Sequence, residues 1–588
     1  MRSSIGYKNY FRSLQLLYYL SECGVDNVII SPGSRSASLA IAAGELSKKG
    51  IFQIYNSIDE RSAGFHALGI AIASDKPTVV LTTSGTAVAN LLPSAVEADK
   101  SSISVIYISA DRPLRLKNCG ANQTVDQEKF LSPVCRFTEN TSLEGFHLIT
   151  ETELKNLRRK INEICLFNSG PIHLNISIEK PLIISINERK KIFNQFTERY
   201  LNKVNIKNQK TLLENRFFDL KITKHIDVSK SGIIIVGPYR GLNKNLNKFN
   251  KSLKDIQNLT GWPVFADPLS GVNLGLNGLI DNWELIIKNK KFKINCEQLL
   301  RLGPMPSSNA LEKFLGEFSG EQFLIKENDP RILDPLRKSF EYDYGLINFV
   351  DQFLMSKNNL NLSRRNLTQL AKELLLEGER IKNILKKQLS TNKNITECSL
   401  AYLIPKIWPE KYPIMLSASS PVRDWLTYSG LNALSRRCFS FRGASGIDGT
   451  LSMALGISRV MNPLLLVTGD LSFLHDNNGW LIENAEHLNL TILLIDNNGG
   501  NIFNRLYKNN LEDEEIKSLF VMPKNVDFKK LAEANKVIFK DVLNLNDLKE
   551  LLEWSLMKSK TVILRLKVNI ISENDERKNL LNKIYQGS

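Results

Sequence analysis

The sequence predicts an α/β protein made of three doubly wound, parallel-sheet domains in series. Three observations lead there. Short apolar runs of buried-strand length alternate with helix-patterned segments along most of the chain. Polar, glycine-bearing loops stand at the ends of those runs, where open α/β sheets gather ligands. At 588 residues the chain exceeds what one hydrophobic core supports.

In chain order, Met1 to Gly24 mixes Tyr, Lys, Arg and Glu into apolar positions at helical spacing, which predicts the first helix of the mature protein rather than a cleaved leader. The runs NVII (27–30), IYNS (54–57), TVVLTT (78–83), ISVIYISA (103–110) and IHLNIS (172–177) are the strands of a first domain over 1–187. A polar Lys/Asn-rich stretch, 188–230, reads as a linker with some helix. GIIIVGPY (232–239), PVFAD (263–267), EQLLRLG (297–303) and QFLIKEN (322–328) supply a central domain over 231–350, followed by a charged helical connection over 351–394. IMLSAS (414–419), CFSF (438–441), PLLLVTG (463–469), LTILLID (490–496) and TVILRL (561–566) build the last domain, 395–588.

Composition excludes several classes. Hydrophobic residues make up 43% and charged residues 23%, the balance of a folded water-soluble protein. No apolar run reaches membrane-spanning length. Seven cysteines without a C-x-x-C pair suit a reducing cytoplasm without structural disulfides or zinc. The net charge of +16 invites a nucleic-acid reading. However, the lysines fall among asparagines in segments such as 202–210, 243–254, 288–293 and 382–393, which is the pattern of solvated faces. No nucleic-acid partner is expected, and attraction for anionic substrates is a second reading of the charge.

The most informative loops are SPGSRS (31–36), DER (59–61), TTSGTAVAN (82–90), ADRP (110–113), CGANQ (119–123), FRGASGIDG (441–449), TGDLS (468–472) and DNNGGNIF (496–503). Gly469-Asp470 ends one apolar strand and Asp496-Asn497-Asn498-Gly499-Gly500 ends the next, spaced for a single crossover helix and a neighbouring parallel strand. Their polar tips then share one sheet edge. A carboxylate, an amide oxygen and a carbonyl there offer hard ligands for Mg²⁺. Asp-Asn-Asn-Gly-Gly is also good turn chemistry, so these residues alone leave both readings open.

Together, these loops resemble the thiamine-diphosphate enzymes. Leu471 in the third position of the Gly-Asp signature, with SPGSRS, ADRP and CGANQ, resembles one branch: the 2-succinyl-5-enolpyruvyl-6-hydroxy-3-cyclohexene-1-carboxylate synthases of menaquinone and phylloquinone biosynthesis. The resemblance covers nearly the whole chain. It implies the thiamine-diphosphate-binding fold, with thiamine diphosphate and Mg²⁺ (or Mn²⁺) as cofactors, the metal being held by Asp470, Asn497 and the carbonyl of Gly499. Glu60 is then the carboxylate facing the pyrimidine ring nitrogen; taken alone it reads as a solvated residue or a partner of Arg61. Ile447 is implied as the apolar wedge bending the cofactor, with Ser419, Ser445, Ile502 and Phe503 completing its site. Ser419, Arg423 and Arg442 match residues meeting 2-oxoglutarate, and Ser34, Arg35, Arg112, Asn122 and Gln123 match those meeting isochorismate. Arginine suits both tasks, because its planar fork binds carboxylates bidentately.

The implied reaction is decarboxylation of 2-oxoglutarate and 1,4-addition of the succinyl-semialdehyde carbanion to isochorismate. Glu60 drives cofactor activation, Arg423 and Arg442 hold the donor, and Arg35, Arg112 and Gln123 hold the acceptor. In the superfamily the two ends of the cofactor meet across a subunit interface, so a homodimer or homotetramer is implied. The sequence departs from the family pattern at Asn309, where a lysine is usual, at Ala418, where asparagine is common, and at Arg115, where an acidic residue often stands. Arg301 and Lys313 are candidate replacements for that lysine. The competing enzymatic reading is another thiamine-diphosphate carboligase or decarboxylase, such as an acetolactate synthase-like enzyme.

Overall fold

The apolar runs pair in parallel throughout, and their order within each sheet decides where the loops gather. The computed structural model describes residues 4–141, 144–202, 224–327, 329, 331–356, 364–390, 395–506 and 514–586. By internal contacts the chain divides into two units. One comprises Met1–Ile72, Lys76–His225 and Leu481–Glu483; the other comprises Ala73–Asp75, Ile226–Trp480 and Asn484–Ser588.

The first unit holds one six-stranded sheet of β1 (Asn27–Ser31), β2 (Gln53–Asn56), β3 (Thr78–Thr82), β4 (Val105–Asp111), β5 (Phe137–Thr141) and β6 (Ile172–Ser177), ordered β2-β1-β3-β4-β6-β5. Strands β3, β4 and β6 are buried along their whole length, as expected for a parallel sheet covered on both faces. The helix Ile5–Glu22 is capped by Ser4, whose side chain accepts the Tyr7 N–H, and it packs Leu14 and Leu17 into this core.

The second unit holds two sheets. Its five-stranded sheet contains β7 (Gly232–Val236), β8 (Val264–Ala266), β9 (Gln298–Leu302), β10 (Glu321–Ile325) and β11 (Ser339–Tyr342), ordered β11-β10-β9-β7-β8. Its six-stranded sheet contains β12 (Ile414–Leu416), β13 (Cys438–Phe439), β14 (Leu464–Gly469), β15 (Leu490–Asp496), β16 (Ile538–Val542) and β17 (Val562–Lys567), ordered β13-β12-β14-β15-β17-β16. One continuous apolar cluster includes Phe265 and Leu299 of the former and Leu465, Leu493 and Leu564 of the latter.

The two six-stranded sheets share one winding: the second strand lies outside the first, and the chain then crosses back to add the third on the other side. That reversal creates a crevice beyond the carboxyl ends of the first and third strands, the position where doubly wound sheets bind ligands. In the first unit it falls between β1 and β3, placing SPGSRS beside TTSGT. In the second it falls between β12 and β14, placing Ser417 to Ser419 beside Gly469 and Asp470.

The three parallel sheets bear out the predicted fold class. Three strands were not anticipated from the sequence: β5, β11 and β16. Each is an outer strand with a mixed, half-exposed face, so neither a continuous apolar run nor a clean alternation marks it. The expected linker carries the helix Ile186–Phe196, and residues 203–223 of it lie outside the described residues. The expected helical connection carries the helix Gln369–Leu389, while 357–363 and 391–394 lie outside the described residues. All seven cysteines are unpaired. Among the described residues, no helix is long and apolar enough to cross a membrane.

Leu493 on β15 is fully buried, whereas Leu376 is 74% exposed. Leu493→Ala should cost about 2–5 kcal/mol and lower the melting temperature of the metal-free protein in calorimetry. Leu376→Ala should stay within about 0.5 kcal/mol of the parent.

Candidate active site

In the second unit, the register of β14 against β15 pairs Gly469 with Ile495, which brings the residues after both strands to one edge. Asp470 opens the helix Asp470–His475, and its Oδ2 accepts the Gly499 N–H at 2.7 Å, while Oδ1 accepts the N–H of Leu471 at 2.7 Å. Burial nonetheless pushes its carboxyl up to about 6, against the pull of those two backbone donors. Asn497 is also buried. Its Nδ2 donates to Glu397 Oε1 at 2.7 Å, while its Oδ1 is buried and accepts no hydrogen bond. A buried carbonyl oxygen left without a donor is costly unless something else occupies it. The Gly499 carbonyl accepts the Asn501 N–H at 2.9 Å and keeps a second lone pair. Three hard oxygens at one strand edge, one of them orphaned, fit the donor set of Mg²⁺.

Backbone constraints hold this edge. Gly499 has φ +122°, and a Cβ there would lie 2.2 Å from the Val521 carbonyl oxygen. Above it lies a cavity of about 300 Å³, whose lining includes Ser419, Ile447, Asp470, Asn497, Ile502 and Phe503. The cofactor residues expected in this unit thus come together, Ser445 excepted. Ser445 stands on an exposed turn outside the cavity lining. The Ile447 carbonyl is pinned by the hydroxyls of Thr450 at 3.0 Å and Ser472 at 3.4 Å, which fixes the apolar side chain relative to the Asp470 helix. Ser419 adopts φ +75° and ψ −129°, a conformation that costs a non-glycine residue about 1–3 kcal/mol. Its carbonyl accepts Arg423 Nη1 at 2.7 Å. Arg442 keeps a buried Nε without an acceptor, and its own carbonyl accepts Arg240 Nη2 at 2.8 Å.

In the first unit, Asp59 caps the helix Glu60–Ser74 by accepting the N–H groups of Arg61 at 2.8 Å and Ser62 at 3.1 Å. Glu60 therefore stands at the first helical position. Burial and the Asp59 charge raise its carboxyl above the usual range, opposed by a hydrogen bond from Asn90. Around the β1/β3 crevice, a Cβ on Gly33 would collide with Thr83 at 2.5 Å, so the two loops cross in contact only because residue 33 has no side chain. Arg35 is buried and donates to the Ile178 carbonyl at 2.7 Å. Arg112 donates to the Ser84 hydroxyl, and Gln123, at φ +59°, donates to the Ser84 carbonyl at 3.0 Å. Burial lowers the pKa of both arginines, and the Arg112 charge lowers that of Arg35 further. Asp111 opposes the lowering at both arginines, and Glu179 opposes it at Arg35. Ser34 and Asn122 lie exposed on the same loops.

The thiamine pyrophosphate enzyme N-terminal TPP binding domain matches residues 13–130, and the C-terminal TPP binding domain matches residues 425–566. A 2-succinyl-5-enolpyruvyl-6-hydroxy-3-cyclohexene-1-carboxylate synthase of Prochlorococcus marinus strain MIT 9515 is 57% identical over 585 residues, covering 99% of this chain and 100% of the relative. Synthases of the same name from strains NATL2A and NATL1A are each 44% identical over 583 residues, covering 99% of this chain and 97% of each relative. The chain belongs to this synthase family. It is a thiamine-diphosphate-dependent enzyme.

Two of the departures from the synthase pattern have defined local surroundings, and nothing in the structure explains alanine at 418. Asn309 begins the helix Asn309–Glu317, capped by Ser308. Arg301 is not poised to replace the usual lysine there: it is buried and bound to Asp334 at 2.9 Å and Ser339 at 3.1 Å. Lys313 is exposed, 3.7 Å from Glu317. Arg115 pairs with Glu179 at 2.7 Å. Three residues with a part in the site were not singled out in the sequence: Glu397 beneath Asn497, Asn90 beside Glu60, and Gln127, whose Oε1 accepts the Gly85 N–H at 2.9 Å. Gln127 also donates to Asn175 at 2.9 Å. Asn175 Oδ1 accepts the Ser109 hydroxyl at 2.8 Å, and Ser109 meets His173 Nε2 at 2.7 Å. This buried chain of polar groups supports the loop that carries Ser84 and Gly85.

Burial lowers His173 to about 4 from its ordinary 6.5. Between those values the unfolded chain binds the proton and the folded chain does not. Stability is therefore full above pH 6.5 and falls as pH drops toward 4, by on the order of 3 kcal/mol from this group. Denaturation of the full chain across that range should show a shallower pH slope in His173→Gln than in the parent; equal slopes would remove His173 from the account.

Proposed function

We propose that this protein decarboxylates 2-oxoglutarate and adds the succinyl-semialdehyde unit in a 1,4 sense to isochorismate, in menaquinone or phylloquinone biosynthesis. The observation that carries the cofactor assignment is the oxygen set at the β14/β15 edge, where the orphaned Asn497 Oδ1 belongs to a residue that lines the same cavity as Asp470. The product is the one named by the relatives, and it follows from their near-complete overlap with this chain.

In this reading Asp470, Asn497 and the Gly499 carbonyl hold Mg²⁺ or Mn²⁺ and, through it, a diphosphate. Residues 395–588 thus grip the diphosphate end, residues 1–187 the pyrimidine end, and residues 231–350 form the central domain. When bound, thiamine diphosphate would supply an electron sink for the bonding pair left on carbon as the donor carboxylate departs as CO₂. Glu60, whose carboxyl burial raises above the usual range, shares a proton with the pyrimidine ring nitrogen. Ile447, Ile502 and Phe503 exclude water along the apolar wall of the cavity. Arg423 and Arg442 orient the donor carboxylates, with Ser419 beside them; Arg35, Arg112 and Gln123 orient the acceptor, with Ser34 and Asn122 at its rim. A cytoplasmic homodimer or homotetramer belongs to the same proposal.

Incubation with thiamine diphosphate, Mg²⁺, 2-oxoglutarate and isochorismate should release CO₂ in step with acceptor loss. Consumption of another 2-oxo acid without isochorismate would favour a different carboligase. Glu60→Gln should slow exchange of the cofactor's C2 proton by about 10²-fold or more, and unchanged exchange, followed by NMR, would overturn the role given to Glu60.

A further inference from the structure

At the β14/β15 edge lies a buried ionic cluster that the reaction itself does not call on, and one of its members, Glu397, also reaches the cavity lining. Arg577, on the C-terminal helix Ile570–Gln586, forks onto Asp424 with contacts of 2.8 and 2.7 Å and reaches Glu573 at 2.5 Å. Glu573, 0% exposed, accepts the backbone N–H of Glu397 at 2.6 Å. Glu397, 3% exposed, opens the helix Glu397–Ile407, and its Oε2 lies 3.7 Å from Arg577. Its other oxygen, Oε1, accepts Nδ2 of Asn497 at 2.7 Å and Nδ2 of Asn501 at 3.3 Å.

An asparagine amide offers donors on one side and an acceptor on the other, and only its surroundings decide which side faces a ligand. A carboxylate accepts hydrogen bonds and cannot donate them. The Asn497 amide turned over would set Oδ1 against Glu397 Oε1, two oxygens with no proton between them. Glu397 thus leaves one orientation, with Nδ2 held on Glu397 and Oδ1 turned away from it and left for another partner. The contact to Asn501 ties the far end of the same turn, so 497 to 501 is held at both ends from one oxygen.

We propose that Glu397 is a positioning residue for the metal site: by accepting the Asn497 amide it aims Oδ1 at the cation, and Glu573 and Arg577 hold it in place. This rests on the assignment of Asp470 and Asn497 as metal ligands. Partners that orient a metal ligand from behind are commonly worth about 10–100-fold in metal affinity.

The test measures binding rather than turnover, as Mn²⁺ titrated into the full chain with thiamine diphosphate and followed by electron paramagnetic resonance. Glu397→Ala should weaken Mn²⁺ binding by about 10-fold or more. It should still fold, because Arg577 retains Asp424 and Glu573, and the melting temperature of the metal-free protein checks this. Asn497→Asp provides a second arm. Aspartate is an ordinary ligand for hard divalent ions, yet here its inner oxygen would face Glu397, so binding should fall. Adding Glu397→Gln to Asn497→Asp supplies an N–H donor to that oxygen and should recover about 10-fold of the loss, a rescue that a purely structural role for Glu397 would not produce. Undiminished affinity in Glu397→Ala, or no recovery in the double variant, overturns the proposal. Asp470→Ala is the reference: if it too binds Mn²⁺ like the parent, the metal assignment itself fails.

Discussion

The hydrogen bond from the Gly499 N–H to Asp470 ties the ends of two neighbouring parallel strands, and the candidate metal edge is organised around it. It exists because β14 and β15 are paired in one register, and that register is fixed by strands whose side chains are buried on both faces. A slip by one residue would exchange every inward side chain for its neighbour and separate Asp470 from the 497–501 turn. The chemistry is thus anchored by the most apolar part of the chain, with polar groups only at its tip.

How much could be read from the sequence follows from this division. The interior strands of all three sheets are visible as continuous apolar runs, because parallel strands are covered on both faces. Their outer neighbours β5, β11 and β16 are not visible, because a half-exposed strand such as Phe137–Thr141 carries Thr, Glu and Asn among its apolar positions. The loops announce themselves by unusual composition, and Ser419, Ile447, Asp470, Asn497, Ile502 and Phe503 do line one cavity. Glu397 gives no such signal. It follows the capping threonine of an ordinary helix, one hundred residues before Asn497, and nothing local distinguishes it from a charge favouring a helix N-terminus. Nor does composition reveal that Ser419 and Gln123 occupy positive-φ conformations, since neither is a glycine or asparagine.

The two six-stranded sheets solve a similar problem with different chemistry. Around the β1/β3 crevice the polar groups are arginines and amides, suited to anions. At the β14/β15 edge, next to the β12/β14 crevice, they are oxygens that fit a cation. The winding supplies the crevice and the loops supply the charge, so identical strand orders carry opposite electrostatics. The arginines of this first crevice, Arg35 buried and Arg112 half-buried, are distinct from the many exposed lysines that make up the basic excess of the chain.

The outer strands of the three sheets, only some of which the sequence reveals, have a consequence for how this chain meets others. Every sheet ends in a strand that is short or partly polar: β8 and β13 span three and two residues, β2 and β11 four each, and β5 and β16 carry charged side chains. Such margins are poor templates for adding a further strand from another molecule. The sheets themselves are therefore guarded against open-ended, amyloid-like growth.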